Sequence, residues 1–202
     1  LRIECMSLRQ DSGGAGRQRG GLGLEREVRL LAPHARLSVL SDKNIIPPYG
    51  VRAGGAGSRN RFTVRRNGTE IEPSPLPGKV TGFALRADDV VIERTAGGGG
   101  YGEALSREPE AIARDVRWGY IAASAAHAVY GVVINGDKVD APATAALRAR
   151  LGAEKLRLRL MPLDGDEYHG STRVVAVGPG AARRLSVADG DMVEFPCADG
   201  PS

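Results

Sequence analysis

A chain of 202 residues, 42% hydrophobic and 26% charged, can form one domain or one domain with a small appendage, and is too apolar to be disordered throughout. Only 4% of its residues are aromatic, so the core must consist mainly of Val, Leu, Ile and Ala. The net charge of +4 is uneven, because residues 1–66 carry thirteen basic and five acidic residues. These arginines are dispersed and have few aromatic neighbours, which argues against nucleic-acid binding.

Two features of the sequence bear on the cellular compartment. Cys5 and Cys197 lie far apart and form no paired motif, which is typical of free thiols in a reducing cytoplasm. No apolar run approaches the roughly 20 residues of a membrane span, and no secretory signal opens the sequence. We therefore predict a cytoplasmic protein without a membrane segment. Because the sequence opens on Leu1 with a strand-like pattern, we expect it to be the C-terminal portion of a longer polypeptide.

Alternation of apolar and polar residues predicts strands throughout the first half of the sequence. Loops separate them at the glycine-rich residues 11–23, at residues 47–50 with two prolines, and at Asn67-Gly68, the favoured two-residue hairpin turn. In the first strand, Leu1, Ile3 and Cys5 are expected on one side. The predicted strands cover residues 1–9, 24–31, 36–40, 62–66, 69–71, 81–85 and 90–95.

The periodicity changes to that of helices after residue 102. Pro109 suits a first helical turn, and apolar residues then recur at spacings of three and four, with Gly119 able to divide this segment into two short helices. Asp140 is a candidate N-cap of a further helix that Gly152 ends. Additional strands are predicted at residues 130–135, 154–162, 173–177 and 192–195, with a helical turn at 181–185.

This order of elements predicts an α+β fold. Residues 1–150 are expected to form a β-rich domain with glycine loops that is followed by short helices. Residues 151–202 are expected to form a small mixed α/β tail module.

The glycine run at residues 97–102 admits two interpretations. It satisfies the G-x-G-x-x-G pattern of dinucleotide-binding loops, but any run of glycines does so. Those loops open directly into a helix, whereas the predicted helix here begins only near Pro109, and the lysine of a Walker A motif is absent. Close packing of crossing backbones is the favoured interpretation, and a phosphate-binding loop is the alternative.

The segment after the first strand is a second candidate site. Asp11 and Ser12 precede several glycines, and Arg17 and Arg19 follow, so backbone amides and guanidinium groups could hold an anion. A buried Asp–Arg pair that fixes a strand crossover is the favoured interpretation, and the anion site is the alternative.

A third group of polar residues lies at 164–169, where three acids and His169 could bind a metal. Acidic turns are usually solvated, so a metal site is not predicted there. The three histidines are scattered, and no Ser-His-Asp or Cys-His arrangement is visible. The residues alone therefore show no catalytic apparatus.

Several glycine-rich stretches follow one another in a specific order. Residues 8–23 contain Asp-Ser-Gly-Gly and Arg-Gly-Gly, residues 40–57 contain Ser-Asp-Lys and Pro-Pro-Tyr-Gly, and residues 90–102 end in four glycines, Tyr and Gly. Together with residues 115–119 and 129–133, these stretches resemble successive blocks of the hydantoinase B/oxoprolinase family.

Two further comparisons belong to this resemblance. Residues 173–195 resemble a small tail module that some family members carry. The sequence departs from the usual family residues at Lys43, Ala96, Glu103 and Ala104.

The resemblance implies the C-terminal region of a B-type subunit of an ATP-dependent amidohydrolase that opens cyclic amides of the hydantoin or 5-oxoproline type. A related ATP-dependent carboxylase of the acetone or acetophenone type and a non-catalytic assembly module are the alternatives. It further implies an upstream B-type region that holds a divalent metal and an A-type subunit that binds ATP with Mg²⁺. This segment itself is expected to bind no cofactor and to be inactive in isolation, with a small cyclic amide as the substrate of the full enzyme.

The resembling stretches also supply the candidate site residues. We predict that eight of them position substrate or contact the rest of the enzyme, and we predict no catalytic or metal-ligating residue. The eight are Asp11, Ser12, Arg17, Asp42, Tyr49, Gly98, Gly99 and Tyr101.

Overall fold

The computed structural model describes residues 1–155, 177 and 179–186. Antiparallel strands occupy the first half and short helices the second, which confirms the predicted α+β class. One compact unit contains Leu1–Ala153, and a second spans Glu154–Phe195. The strands predicted at 154–162, 173–177 and 192–195 fall mostly or wholly outside the described residues, and the division at residue 150 stays a prediction.

Within the described residues, seven strands precede the glycine run. Strands β1, β2, β7, β4 and β5, in that order, form an antiparallel sheet, and β3 pairs with β6. Asn67 and Gly68, with φ angles of 49° and 81°, close the β4–β5 hairpin as predicted. The strands are β1 (Arg2–Leu8), β2 (Leu24–Arg29), β3 (His34–Leu40), β4 (Arg61–Arg66), β5 (Thr69–Ile71), β6 (Lys79–Arg86) and β7 (Val90–Arg94).

One face of the five-stranded sheet is apolar. Val64 and Val91, paired across β4 and β7, pack with Leu30 and with Leu85 of β6 in a buried cluster. Burying a side chain of this size contributes roughly 1.5–3 kcal/mol. The β3–β6 pair therefore covers this face and is held to the sheet by side-chain packing.

The opposite side, which we call the charged face, carries acidic and basic residues of four strands. Arg94 bridges Glu25 and Glu70 at 3.1 and 3.0 Å, and Arg65 pairs with Glu27. Ile92, on the same face, is nevertheless fully buried, because the methylene groups of long charged side chains can cover apolar surface. The charged residues of this face include Glu25, Glu27, Arg61, Arg65, Glu70 and Arg94.

Strand β1 departs from the predicted alternation. A shift in register between Ile3 and Cys5 marks a β-bulge, so Ile3 faces Val28 whereas Cys5 faces Glu27. The prediction that Ile3 and Cys5 share one side is wrong, because an inserted residue reverses the facing of those that follow it.

Helices α1 (Pro109–Arg117), α2 (Ala123–Ala128), α3 (Ala141–Glu154) and α4 (Pro179–Leu185) follow the glycine run, with a short 3-10 helix at Ala104–Ser106. Gly119, at φ 72°, separates α1 from α2 as predicted. Asp140 caps α3, since its Oδ1 accepts a hydrogen bond from Ala143 N at 3.0 Å. Helix α3 continues through Gly152, so its predicted end there is wrong. Glycine weakens a helix by about 1 kcal/mol but does not end it by itself.

The strand predicted at residues 130–135 is mostly wrong. Only Ile134–Asn135 forms a strand, β8, which pairs with β9 (Lys138–Val139). Tyr130 and Val132 instead lie buried in an irregular segment. Gly131, which lies between them, has a φ angle of 62° that does not fit a strand. Among the described residues, no helix has the length and apolarity that a membrane crossing requires.

Candidate functional site

Three glycine-rich segments meet in one cluster, which we call the glycine core. Gly98 donates its N–H to Gly21 O at 2.9 Å and accepts a hydrogen bond from Gly14 N at 2.8 Å. Gly100 donates its N–H to Gly55 O at 2.9 Å. The last segment is therefore bonded through its backbone to both of the others. The three segments are residues 12–23, 50–57 and 97–102.

At most glycines of the glycine core, the backbones approach too closely to admit a side chain. A Cβ atom at Gly97 would lie well within 3.0 Å of Ser12 O, and one at Gly99 equally close to Tyr49 O, a separation that real Cβ atoms essentially never show. The φ angles of these glycines lie outside the left-handed region, so glycine is required for space. The same collision with backbone arises at Gly13, Gly14, Gly16, Gly20, Gly23, Gly50, Gly54, Gly57 and Gly100.

This geometry decides between the two interpretations of the glycine run. A phosphate-binding loop presents free backbone N–H groups at the start of a helix. Here the N–H groups of Gly98 and Gly100 donate within the core, and α1 begins only at Pro109. The packed-backbone interpretation is confirmed, and the run does not form a dinucleotide-binding loop.

Asp11 and Ser12 connect the glycine core to its surroundings. Asp11 has a φ angle of 58°, donates its N–H to Tyr120 O at 3.0 Å, and accepts a hydrogen bond from Ala122 N at its Oδ1. Ser12 is buried, and its Oγ donates to Arg9 O and accepts from Gly23 N. Both side chains therefore join chain segments, and their predicted positioning role stays a prediction.

The predicted pairing of Asp11 with Arg17 or Arg19 is wrong, because Arg19 pairs with Asp115 and the Asp11 carboxylate accepts a hydrogen bond from Ala122 N. Arg19 Nε lies 3.1 Å from Asp115 Oδ2, and Arg107 Nη2 lies 2.8 Å from the same oxygen. Asp115 is only 3% exposed, so its charge requires these two partners. Arg17 remains exposed beside Gly102 and does not join this pair.

Sequence reasoning missed Asp115 and Arg107 as partners of Arg19. A separation of 96 residues between Arg19 and Asp115 leaves no pattern that could reveal the contact. One signal was available, because Asp115 follows Ile112 by three residues and therefore lies on the apolar face of α1. An acid on an apolar helix face predicts a buried ion pair, though not its partner.

The two predicted tyrosines lie at the surface of the glycine core. Tyr49 is 69% and Tyr101 38% exposed. Tyr101 forms a parallel bridge with Val51, and the Arg52 guanidinium lies 5.8 Å from the centre of its ring. The structure therefore brings Tyr101 together with a cation that the sequence did not single out.

Asp42 has a separate set of contacts. Its carboxylate lies 3.1 Å from Lys79 Nζ, and its carbonyl oxygen accepts a hydrogen bond from Asn60 Nδ2. Asn60 Oδ1 in turn accepts a hydrogen bond from Ala96 N. Asp42 is linked in this way to the start of the glycine run and not to the tyrosines. Gly98 and Gly99, the remaining predicted residues, belong to the core itself.

A buried carboxylate also fixes the turn before β7. Asp89 is 2% exposed, pairs with Arg66 Nη2 at 2.6 Å, and accepts a hydrogen bond from Arg86 N at 2.8 Å. The Arg66 guanidinium holds the pKa of the Asp89 carboxyl below its usual range. This pair is a structural ion pair between β4 and the turn.

Possible metal ligands are dispersed over the described part of the chain. Among the residues that the structure describes, no group of three His, Cys, Asp or Glu side chains is close enough to hold an ion. The acidic loop at 164–169 lies outside the described residues.

Comparison with known proteins gives a family match and several relatives. The family model of hydantoinase B/oxoprolinase matches residues 1–104, slightly more than half of the chain. The B-type subunit of a putative D-/L-hydantoinase from Pseudomonas sp. strain NS671 is 34% identical over 149 residues, which cover 73% of this chain and 25% of that protein.

Two solved structures share the fold. An acetone carboxylase in its nucleotide-free form has a TM-score of 0.61 and 26% identity, and the match covers 75% of this chain and 25% of that one. An ATP-dependent caprolactamase from Pseudomonas jessenii has a TM-score of 0.59 and 30% identity, with coverages of 73% and 26%. The chain spans about a quarter of the length of each of these three relatives.

Proposed function

Because the chain belongs to the hydantoinase B/oxoprolinase family, we propose that it forms the C-terminal region of a B-type subunit in an ATP-dependent enzyme that hydrolyses a cyclic amide. The observation that carries this proposal is the position of the family match, which includes the whole five-stranded sheet and all three segments of the glycine core. Two relatives are named as a hydantoinase and as an ATP-dependent caprolactamase, and both names refer to a cyclic amide as the substrate.

In this proposal the chain supplies a rigid scaffold, and the chemistry depends on other parts of the enzyme. The N–H groups of Gly98 and Gly100 are already bonded in the core, so a nucleotide phosphate would find its amide donors elsewhere. We assign ATP with Mg²⁺ to an A-type partner and a divalent metal to an upstream B-type region. The isolated chain would then be inactive.

The exposed surface beside the glycine core would contact the substrate or the A-type partner. Tyr101, Tyr49 and Arg17 lie on this surface, and Arg52 stacks on Tyr101. A tyrosine with a guanidinium against its ring offers an apolar surface and a hydrogen-bonding group at one position. Such a pair suits a small polar ring or a protein interface.

The test is reconstitution of the longer enzyme. The chain is joined to an upstream B-type region taken from a longer relative and is co-expressed with an A-type partner. Hydantoin, 5-oxoproline and caprolactam are then offered with ATP, and ADP and ring-opened product are measured. We expect product to form only with ATP and with all parts present. ATP turnover by the isolated chain would contradict the assignment of ATP to the partner.

One substitution connects the assay to the proposed surface. Tyr101→Ala is expected to lower kcat/KM for the amide by about tenfold or more, because a misplaced substrate loses much of its rate. Trp118→Ala is the matched control, since Trp118 is also an exposed aromatic residue but lies outside the glycine core. Equal activity of the two variants would remove Tyr101 from the proposed surface.

A carboxylase is the second candidate, and the similarity to acetone carboxylase favours it. The same reconstituted enzyme is given acetone, ATP and ¹³C-labelled bicarbonate. Incorporation of label without ring opening would select the carboxylase. An assembled complex that catalyses neither reaction would identify the chain as part of a non-catalytic assembly module.

A further inference from the structure

A cavity of about 580 Å³ opens where the charged face meets the loops around Asn44 and Asn60. It is distinct from the tyrosine surface described above. Four of its lining side chains are arginines and two are glutamates, and Phe62 and Pro77 supply apolar wall. The charged lining residues are Arg9, Arg59, Arg61, Glu70, Glu72 and Arg94.

Two of the four arginines in this cavity are neutralised by carboxylates. Arg61 Nη2 lies 2.7 Å from Glu72, and Arg94 Nη2 lies 3.0 Å from Glu70. These pairs leave the cavity with the positive charge of the other two arginines. The lining therefore carries a net charge of +2.

Arg9 and Arg59 have only carbonyl partners among the described residues. Arg9 Nη1 donates to Arg59 O at 3.2 Å and to Thr95 O. Arg59 Nη1 donates to Ile45 O at 3.3 Å. Within residues 1–155, no carboxylate forms an ion pair with either guanidinium. Carbonyl oxygens satisfy a donor but do not neutralise its charge.

Burial makes the charge of Arg9 unfavourable. It lowers the pKa of the Arg9 guanidinium, whereas the nearby charge of Glu25 raises that pKa and the charge of Arg94 lowers it to a smaller extent. A half-buried cation without an ion-pair partner is stabilised by a bound anion. Guanidinium groups bind carboxylate and phosphate through paired hydrogen bonds.

We propose that this cavity, lined by Arg9 and Arg59, is a binding site for a small dianion. A phosphate group or a dicarboxylate would match in charge the two guanidinium groups of the lining that form no ion pair within residues 1–155. The apolar wall at Phe62 and Pro77 accommodates the uncharged part of such a molecule. The proposal does not depend on the reaction of the longer enzyme. It places anion binding at Arg9 and Arg59 and not at Arg17 and Arg19, where the sequence pattern suggests it.

The test is titration calorimetry of the 202-residue chain with inorganic phosphate and, separately, with succinate. Binding of either anion, weakened by added salt, is expected, because screening reduces attraction between charges. The anion that binds more tightly distinguishes a phosphate site from a dicarboxylate site. Absence of binding of both anions would overturn the proposal.

Substitutions locate the binding. Arg59→Gln is expected to raise the dissociation constant about tenfold or more, since a charged hydrogen bond is lost. Arg59 is exposed and makes one long hydrogen bond, so this variant should keep its fold, whereas Arg9→Gln also removes a contact to Thr95. Arg2→Gln is the control, because it removes the same charge at the opposite end of the sheet, and its affinity should be unchanged.

A variant with the opposite effect separates binding from folding. Glu72→Gln releases Arg61 from its ion pair and adds one net positive charge to the cavity. Affinity for the dianion should then increase several-fold, an outcome that a damaged fold does not produce. Unchanged affinity in both Arg59→Gln and Glu72→Gln, or an equal loss in Arg2→Gln, would overturn the proposal.

Discussion

The glycine core and the apolar face of the sheet both hold distant chain segments together, but they do so in different ways. On the sheet, Val64 and Val91 pack through side chains against Leu85. In the glycine core, backbones contact one another directly, and hydrogen bonds between Gly98, Gly21 and Gly14 replace side-chain packing. The difference shows that closeness of backbones, and not apolar content, makes residues 97–102 an organised part of the fold.

This comparison predicts two kinds of response to mutation. A side-chain core loses stability in proportion to the atoms removed, because neighbouring side chains relax only partly into the space. The glycine core loses stability when atoms are added, because whole backbones would have to separate. Substitutions in the two regions distinguish these responses.

The largest effect is expected for a methyl group added within the core. Gly99→Ala places a Cβ against Tyr49 O, and we expect a loss of at least about 4 kcal/mol. Overpacking costs about 1–3 kcal/mol where side chains can move, and separating backbones also breaks hydrogen bonds worth about 1 kcal/mol each. Urea denaturation measures the loss.

The matched control for this variant is Gly21→Ala. Gly21 lies in the same core, but no atom lies within 4 Å of the position of an added Cβ. Its free energy of unfolding should change by less than about 0.5 kcal/mol. Similar denaturation midpoints for Gly99→Ala and Gly21→Ala would show that close approach is not the reason for glycine.

A smaller loss is expected where side-chain atoms are removed from the sheet. Val64→Ala should lower the free energy of unfolding by about 2 kcal/mol, because Val64 is fully buried against Leu85 and Val91. Ile92→Val, which removes one methylene from the charged face, should cost about 1 kcal/mol. A loss for Val64→Ala as large as that for Gly99→Ala would erase the contrast between the two regions.

The stability of the sheet should also depend on pH, because its ion pairs contain titratable carboxylates. The glycines of the core carry no ionisable side chains. The pKa of Asp89 is lowered by Arg66, so its ion pair stabilises the fold above the unfolded pKa of about 4. This stabilisation is lost as the pH falls through the lowered pKa. The thermal midpoints of the chain and of Asp89→Asn should therefore converge as the pH is lowered from about 6 to below the unfolded pKa of about 4. A constant difference across that range would contradict the assignment.

The smallest effect is expected to be stabilising. Gly152 lies inside α3, and no atom lies within 4 Å of an added Cβ. Gly152→Ala should raise the free energy of unfolding by up to about 1 kcal/mol, since alanine is the better helix former. The same added methyl group would then lower the free energy of unfolding at Gly99 and raise it at Gly152. A loss of stability in Gly152→Ala would contradict the expected gain in helix propensity.

Sequence patterns predicted the elements whose own side chains define them. Alternation located β2 and β4, and Asn67-Gly68 located the hairpin, because these signals are local. Apolar residues at 130–133 were misassigned to a strand, since a buried irregular segment has the same composition as a buried strand. Local information therefore sufficed for most of the fold's first half and failed where burial occurs without regular structure.

The contacts of the candidate site could be predicted only in part. The chemistry of a buried Asp–Arg pair was recognised, but the partner of Arg19 was not, because Asp115 lies 96 residues away. Arg9 and Arg59 lack an ion-pair partner within residues 1–155 because the nearby glutamates pair with Arg61 and Arg94 instead. Such relations arise only when distant segments meet.

The glycine core has a consequence for how this chain can be cut and joined. Glycine-rich stretches are usually chosen as linkers, and insertions or truncations are placed there. In this molecule the three segments of the glycine core, residues 12–23, 50–57 and 97–102, contain glycines whose backbone lies too close to other backbone atoms to admit a Cβ. Division at any of these stretches would separate backbones that hold the domain together. The exposed Asn67-Gly68 turn is the better place for an inserted tag or a circular permutation.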